Sequence, residues 1–220
     1  MSIRNIKNAT EMPVDLAKKL KPKGIKAILL IFWESYKDLM QDKTITITEL
    51  SNEDDITQDW YGKILMRWQK KNRAMSLRHN NIGPVFQYQD KTLYKGTGYK
   101  PTIDFCFRDW NTGNSYFGAE CKNLYCNRSD KIKRYVATGV DNYTTGRYGS
   151  KSSENAMIGY VLSGNIPDIV NSLVVEINKK APIHSLIRET KYKDPQYYSK
   201  HKRALDNQEI TLHHLFFDFT

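Results

Sequence analysis

The sequence predicts an α/β protein with a mixed central sheet flanked by helices. Three observations indicate this class. Two helical patterns open the chain, a run of alternating apolar strands follows them, and a strand, a helix and another strand pattern close it. At 220 residues the chain is long enough for one well-buried core. We expect a single domain with an N-terminal helical extension at 1–50, a core at 51–180 and a C-terminal sheet-edge extension at 181–220.

Two helices are expected before the first strand. Residues 23–39 are strongly apolar and predict a core helix that opens near Gly24. Ser51 is a good N-cap for the second helix, and Asp54 completes an S-x-x-D capping box. We expect this helix to end near Lys71. Its apolar residues recur at intervals of four and predict one buried stripe: Ile56, Trp60, Ile64 and Trp68.

Three strands are expected after these helices, at 84–89, 101–109 and 115–124. The residues at 111–114 read Asn-Thr-Gly-Asn, and they supply the turn that a short hairpin needs. The last two strands therefore form a hairpin, and the three together form a meander.

The second half of the chain predicts a different alternation. Residues 138–155 are rich in Gly, Ser, Thr and Asn, which indicates a helix end followed by a mobile loop. A buried strand is expected at 156–164. Asn165 then caps a helix that has a proline in its first turn. The tail at 209–220 has β character, and we expect it to close an edge of the sheet.

The charge balance favours a polyanionic partner. The chain carries 34 Lys and Arg against 24 Asp and Glu, a formal net charge of +10. Nucleic acid is the commonest partner of such a surface, an anionic membrane surface is the second, and solubility alone is the third reading. The basic residues cluster, and Arg147 lies between glycines in a segment that could clamp phosphate or form a flexible surface loop. The candidate nucleic-acid-binding residues are Arg67, Lys70, Lys71, Arg73, Lys133, Arg134 and Arg147.

No membrane span is expected, because the most apolar run, Ala27 to Trp33, has only seven residues. A helix needs roughly 18 to 20 to cross a bilayer. The N-terminus has no apolar stretch typical of a signal peptide, so we expect a cytoplasmic protein. The three cysteines are expected to be reduced thiols, since their spacing lacks the second Cys or His pair of a zinc site.

Three charged residues lie inside the apolar strands: Asp104, Glu120 and Lys122. Because strand side chains alternate, Glu120 and Lys122 point to one face. On the preceding strand Asp104 shares its face with Cys106, and we expect Ile103 and two phenylalanines on the opposite face. The turn does not fix whether Asp104 lies beside Glu120. The alternative is an ordinary solvated strand face with cross-strand ion pairs.

Two carboxylates and a lysine at one sheet edge have a clear chemical use. Mg²⁺ prefers oxygen ligands, and it is commonly held by one or two carboxylates together with substrate phosphate oxygens. The bound ion polarises the phosphoryl group and lowers the pKa of water. A lysine beside the carboxylates can position that water or stabilise the negative charge that develops on phosphorus.

The stretch "PTIDF", with its Asp104 sixteen positions before the Glu120 of "ECK", resembles the PD-(D/E)XK nuclease superfamily. The resemblance covers Pro101 to Leu124, and two residues separate Pro101 from Asp104 where the name-giving motif has them adjacent. It implies a restriction-endonuclease-like αβββαβ core. It also implies that Asp104 and Glu120 bind Mg²⁺ and that Lys122 assists the attacking water.

A further acidic residue from the preceding helix often joins the site in that superfamily. The resemblance therefore implies Glu53 first, as a catalytic and metal-binding residue, with Asp55 and Asp59 as rivals. For Glu53 the alternative is an acidic residue placed in a first helical turn to interact with the helix dipole.

The resemblance implies a Mg²⁺-dependent nuclease that hydrolyses DNA, in particular an endonuclease of the restriction or defence type, with Mn²⁺ as a substitute ion. The catalytic core would then be 51–180, and a homodimer follows by analogy, since cutting a duplex commonly needs two active sites. The alternative is a catalytically inactive DNA-binding or assembly protein on a nuclease-like fold. A third reading is an RNA-directed protein or an interaction module.

Overall fold

The computed structural model describes residues 15–70, 77–78, 81–90, 100–110, 115–190 and 194–220. Its described strands form one seven-stranded sheet with helices packed on both faces, so the predicted mixed sheet flanked by helices is confirmed. The strands are β1 Ile82–Gln89, β2 Thr102–Asp109, β3 Tyr116–Tyr125, β4 Glu154–Ser163, β5 His184–Glu189, β6 Gln196–Lys202 and β7 Glu209–Asp218. The helices are α1 Leu16–Gln41, α2 Glu53–Gln69, α3 Ser129–Tyr135, α4 Asp141–Thr144 and α5 Ile166–Asn178.

The sheet combines two antiparallel flanks with a parallel centre. Its strand order is β1-β2-β3-β4-β7-β6-β5. β1, β2 and β3 form the predicted antiparallel meander, β3, β4 and β7 run parallel, and β6 and β5 complete the sheet in antiparallel pairing. Parallel strands need crossover connections, and here helices supply them. The carboxyl ends of β3 and β4 consequently lie at the same end of the sheet.

Helix α1 begins well before the predicted start near Gly24. Asp15 caps it, its side chain accepting a hydrogen bond of 2.9 Å from the amide of Ala17. The lysine-rich start with an internal Pro22 resembles a linker in sequence, because proline removes a helical hydrogen bond. Leu16 nevertheless packs in the core and extends the apolar stripe by two turns, which outweighs the cost of the proline.

Helix α2 has its predicted stripe but not its predicted cap. The N-cap is Asn52, whose side chain accepts from the amide of Asp54, whereas the Ser51 hydroxyl accepts from the amide of Thr48. The helix ends at Gln69, two residues before the predicted Lys71. A start at residue 53 places a glutamate in the first turn, where the helix dipole favours an anion.

Helices α1 and α2 cover one face of the sheet around Trp60. The Trp60 side chain is fully buried, and its indole N–H donates a 2.8 Å hydrogen bond to the Ser35 hydroxyl. Four aromatic rings contact the indole at centroid distances of 4.7 to 5.9 Å: Phe32, Phe105, Tyr160 and Phe217. These rings come from α1, β2, β4 and β7, so one side chain joins four elements.

The other face of the sheet is covered by α3, α4 and α5, which surround a second apolar cluster. Residues 136–140 continue the α3 helix as a π-helical turn that leads into α4. The loop that follows was predicted to be mobile, but it is held to the rest of the protein by hydrogen bonds to the backbone of Gly149. Its amide donates to the Tyr116 hydroxyl, and its carbonyl accepts from the buried Arg203, each at 2.7 Å.

The C-terminal quarter corrects the sequence prediction. β5 and β6 are not expected from their sequences, because both are short and rich in polar and charged residues. The tail strand β7 does not close an edge, since it pairs with β4 on one side and β6 on the other. β5 forms that edge, and its segment lies within the predicted extension at 181–220. The Asn165 cap of α5 is confirmed by a 3.0 Å hydrogen bond from the amide of Asp168.

The described residues bear on two further predictions, and a third falls outside them. The hairpin turn at 111–114 lies outside the described residues. Of the cysteines, Cys106 and Cys121 are buried free thiols and Cys126 is exposed. None of the described helices is long and apolar enough to cross a membrane.

The aromatic core gives a stability prediction. Trp60→Ala is expected to lower the free energy of unfolding by about 3 to 5 kcal/mol, because it opens a large cavity among four rings. Urea denaturation followed by circular dichroism measures the change. Leu50→Ala is the control, since Leu50 is 95 % exposed, and it should stay within about 0.5 kcal/mol of wild type. Equal losses in the two variants would contradict the central role of this indole.

Candidate active site

Asp104 lies where two strand ladders are interrupted. The β2–β3 pairing ends with Phe105 opposite Ala119, one residue before Asp104 would face Glu120. On the other side Gln87 is skipped in the β1–β2 register and has φ of +47°, a strained value for a residue with a side chain. The interruption lets the Asp104 carboxylate turn towards β3, where it accepts a 2.7 Å hydrogen bond from the amide of Cys121.

The same irregularity changes which side chains of β2 share a face. Phe105 lies in the core cluster on the face opposite Cys106, as predicted, but Ile103 packs in the same cluster as Cys106. The strict alternation predicted for this strand is therefore wrong at Ile103, which lies just beyond the interruption of both ladders at Asp104.

Glu120 and Lys122 share a face of β3, which confirms the prediction from strand alternation. Lys122 Nζ donates a 2.8 Å hydrogen bond to Glu120 Oε1. Both side chains are buried, with relative exposures of 6 % for Glu120 and 5 % for Lys122. They are therefore not a solvated strand face.

Glu53 joins this pair from the first turn of α2. Its Oε1 accepts from Lys122 Nζ at 3.0 Å, and its Oε2 accepts from the backbone amide of Asn123 at 3.0 Å. Its rivals Asp55 and Asp59 are exposed on α2. Glu53, Asp104, Glu120 and Lys122 are hereafter called the carboxylate cluster.

Burial dominates the electrostatics of the carboxylate cluster. It raises the pKa of Glu120, and the nearby Asp104 charge raises it further. Burial likewise raises the pKa of Asp104, although the Lys122 charge and the Cys121 amide act in the opposite direction. For Lys122 burial lowers the pKa, but the three carboxylates outweigh it and the net shift is upward. The lysine is therefore a cation, and its single positive charge does not balance the three carboxyl groups around it.

The cluster has the donor chemistry of a hard-cation site. In the described part of the chain no group of three or more His, Cys, Asp and Glu side chains is spaced to hold a metal ion, and Lys122 is the cation that lies between Glu53 and Glu120. Glu120 Oε2, however, is buried without a hydrogen-bond partner among the described residues. Buried carboxylate oxygens need a cation or a donor, so this orphaned oxygen fits an oxygen-binding ion such as Mg²⁺.

The predicted nucleic-acid-binding residues occupy different surroundings. Arg134 is half-exposed, with Nη2 3.9 Å from Glu53 Oε1 at the rim of the cluster. Arg147 is exposed and lies close enough to Tyr148 to lower the pKa of that phenol, whose net shift is upward because of burial. Lys70 and Lys133 are exposed. Lys71 and Arg73 lie outside the described residues.

Arg67 differs from the other candidates because its charge is already compensated. Its guanidinium makes a bidentate ion pair with Asp38 and lies 3.8 Å from Glu34. It contributes to packing between α1 and α2, and less of its charge is left for a polyanion.

Two tyrosines next to the cluster were missed by the sequence reasoning. Tyr143 and Tyr148 both lie near Glu120, whose charge raises the pKa of each phenol after the larger effect of burial. In the sequence, these two tyrosines flank a polar segment, "YTTGRY", from which only Arg147 was predicted to be functional.

Comparison with family models, with curated proteins and with solved structures finds no match to this chain.

The raised pKa of Asp104 gives a pH-dependent prediction for the metal-free protein. Below the ordinary range of an aspartate, about pH 3.9, the carboxyl is neutral in both the folded and unfolded states. As the pH rises towards neutrality, ionisation favours the unfolded chain and wild type loses stability. Asp104→Asn keeps an acceptor for the Cys121 amide and avoids this loss.

We therefore expect Asp104→Asn to melt roughly 2 to 4 °C above wild type at neutral pH, which corresponds to about 1 kcal/mol, and to melt together with it near pH 4. Thermal melting in EDTA from pH 4 to 8 measures the difference. Asp59→Asn, at an exposed carboxyl on α2, should show no such trend. A variant that is less stable than wild type at neutral pH would contradict the expectation.

Proposed function

We propose that this protein hydrolyses phosphodiester bonds in DNA with Mg²⁺ as cofactor, for which Mn²⁺ can substitute. The supporting observation is the carboxylate cluster itself. Residues far apart in sequence, Glu53, Asp104, Glu120 and Lys122, converge from α2, β2 and β3, with direct hydrogen bonds of 2.8 and 3.0 Å linking the lysine to two carboxylates. Buried, electrostatically strained groups of this kind are typical of catalytic sites.

The order of elements supports the same proposal. Helix α2 is followed by the antiparallel strands β1, β2 and β3, then by helical residues, and then by β4 parallel to β3. This order agrees with the αβββαβ core that the superfamily resemblance implies. The acidic residues of β2 and β3 lie beside the first turn of α2, which supports a shared site.

In the proposed reaction Asp104, Glu120 and Glu53 would hold the magnesium ion. When bound, the ion polarises the phosphoryl group and lowers the pKa of a water molecule. Asp104 is held for this role by the Cys121 amide, and Glu53 is held by the Asn123 amide. These backbone anchors hold Asp104 and Glu53 beside β3 before substrate arrives. Because the carboxylates of the described residues are not spaced to hold an ion, metal binding would draw them closer together.

Lys122 supplies the positive charge of the reaction. Its raised pKa keeps the ammonium protonated at neutral pH, because three carboxylates surround it. Its three N–H groups donate to Glu53, Glu120 and the backbone carbonyl of Cys121. To orient the attacking water, or to donate to the phosphate oxygen that gains negative charge, the lysine would exchange one of these hydrogen bonds. Its hydrogen bonds to Glu53 and Glu120 hold it at the centre of the cluster.

The DNA backbone is proposed to approach over the rim of the cluster. Arg134 lies at Glu53, and Arg147 lies beside Tyr148, so two exposed cations flank the acidic residues. The net charge of +10 adds long-range attraction for a polyanion. We propose endonucleolytic cleavage of the restriction or defence type, in which a homodimer would supply two active sites for a duplex.

One observation favours the alternative, a DNA-binding or assembly protein without catalysis. Lys122 neutralises Glu53 and Glu120 directly, so the cluster is partly charge-balanced by the chain alone. A protein of this kind would bind DNA in EDTA and leave it intact with Mg²⁺.

The catalytic roles predict the behaviour of one lysine variant. Lys122→Ala should reduce cleavage of supercoiled DNA by at least about 100-fold, because the charge that stabilises the developing phosphate anion is gone. Agarose gels of supercoiled and linear DNA, incubated with Mg²⁺ or EDTA, measure cleavage and separate endonuclease from exonuclease action. Circular dichroism confirms that the variant is folded.

Lys37→Ala is the matched control, since Lys37 is an exposed lysine on α1 that pairs with Asp194. It should cleave like wild type. Undiminished cleavage by folded Lys122→Ala protein would refute the catalytic role, and intact DNA with wild type and Mg²⁺ would support the non-catalytic alternative.

The proposed DNA path predicts a salt effect. Arg134→Ala should weaken DNA binding in EDTA and reduce the slope of log affinity against log salt by about 0.9, the value for one lost phosphate contact. Fluorescence anisotropy with a labelled duplex at several salt concentrations measures both quantities. Arg188→Ala is the control, because β5 lies four strand spacings, roughly 19 Å, from β3. Equal effects of the two variants would rule out a DNA path over this rim.

A further inference from the structure

The Tyr143 hydroxyl is a buried donor for which the described residues offer no partner. The side chain lies on α4 with 1 % relative exposure, and its oxygen has no hydrogen-bond partner within the described part of the chain. A hydroxyl buried without a partner costs about 1 to 3 kcal/mol, so such groups are rare in folded proteins. A buried hydroxyl of this kind beside the carboxylate cluster indicates a ligand that forms the missing hydrogen bond.

Gly118 shows where this hydroxyl lies. A β-carbon built at Gly118 would be 3.2 Å from the Tyr143 oxygen, so the absence of a side chain there admits the phenol. Residues 118 and 120 point to the same face of β3 because strand side chains alternate. The hydroxyl is thus one side-chain position from Glu120. The charges of Glu120 and Asp104 both raise the pKa of the phenol, after the larger effect of burial.

Glu120 has an acceptor oxygen that likewise lacks a partner among the described residues. Its Oε1 accepts from Lys122, while its Oε2 is buried without a partner among the described residues. One unpaired donor and one unpaired acceptor therefore face the same side of the strand. A carboxylate oxygen has two acceptor sites, so Oε2 can accept a hydrogen bond and bind a cation together.

We propose that Tyr143 is a positioning residue that donates a hydrogen bond to a water molecule also bound by Glu120 Oε2, and so holds this carboxylate in the orientation that binds the divalent cation. The inference rests on the proposed function and adds a residue that neither the motif nor the superfamily resemblance assigns. Carboxylates that bind metals are commonly oriented by such outer hydrogen bonds, whose loss costs about 10- to 100-fold in affinity or activity.

The phenol is held rigidly enough for this role. The Tyr148 ring contacts the Tyr143 ring edge-on at a centroid distance of 5.7 Å. Tyr148 is itself fixed, since its hydroxyl donates a 3.0 Å hydrogen bond to the carbonyl of Thr102 and its amide donates to the carbonyl of Asn142. The loop that follows α4 therefore holds the Tyr143 ring in place through Tyr148.

Tyr143→Phe tests the proposal, since phenylalanine keeps the ring contact and removes only the hydroxyl. Isothermal titration of the metal-free protein with MnCl₂ should show affinity weakened about 10- to 100-fold. The melting temperature in EDTA should equal or exceed that of wild type, because the variant removes a buried hydroxyl that has no partner among the described residues. DNA affinity in EDTA should be unchanged, and kcat should fall more than KM for DNA rises.

Tyr36→Phe is the matched control. The Tyr36 hydroxyl donates to the backbone carbonyl of Asp218 at the end of β7, two strand spacings, roughly 10 Å, from β3. Its loss should lower the melting temperature and leave Mn²⁺ affinity unchanged, which is the pattern of a structural tyrosine.

The outcomes separate the two proposals. Equal Mn²⁺ affinity in Tyr143→Phe and wild type would overturn the role of Tyr143 and leave the proposed function standing. The Tyr36→Phe pattern in Tyr143→Phe would also overturn it, because the hydroxyl would then be structural. Wild-type protein that binds no Mn²⁺ and cleaves no DNA would overturn both.

Discussion

The burial of three carboxylates around one ammonium group is the interaction on which the local structure depends. Removing such charges from water costs several kcal/mol each unless partners replace the lost hydration. The protein supplies these partners from its backbone as well as from Lys122. The amide of Cys121 bonds Asp104, and the amide of Asn123 bonds Glu53. Amides that would otherwise be available to a neighbouring strand are thus used to solvate anions, and β2 separates from β3 at this point.

That separation requires support from the rest of the sheet. Gln87 takes a positive φ at the interruption, and such a residue persists only where its surroundings fix it. β3 itself is well supported on its other side, because it is paired with β4 along most of its length and buried at every position. The aromatic cluster around Trp60 anchors α2, and α2 places Glu53. Core packing at a distance from the cluster therefore determines its geometry.

Alternation and capping patterns made much of this fold predictable. The meander, the α2 stripe and the shared face of Glu120 and Lys122 follow from residue periods within single elements. The position of Asp104 could not be predicted, because the hairpin register and the interruption of the ladders at Asp104 depend on contacts between strands. β5 and β6 were missed for a related reason. Their polar sequences become strands only because β7 offers a partner, and β7 is central because β4 accepts it.

The alternation of side chains along β3 connects the packing of the apolar core with the position of the carboxylate cluster. Ala119 and Cys121 are fully buried in the cluster beneath α1 and α2, while Glu120 and Lys122 face the opposite side. A one-residue slip of β3 would exchange these sets, placing two charges in the aromatic core and two small apolar side chains in the site. Because the cost of burying charges there is large, the apolar packing of Ala119 and Cys121 selects the single register that assembles the carboxylate cluster. The same residues that stabilise the sheet thereby specify its candidate site.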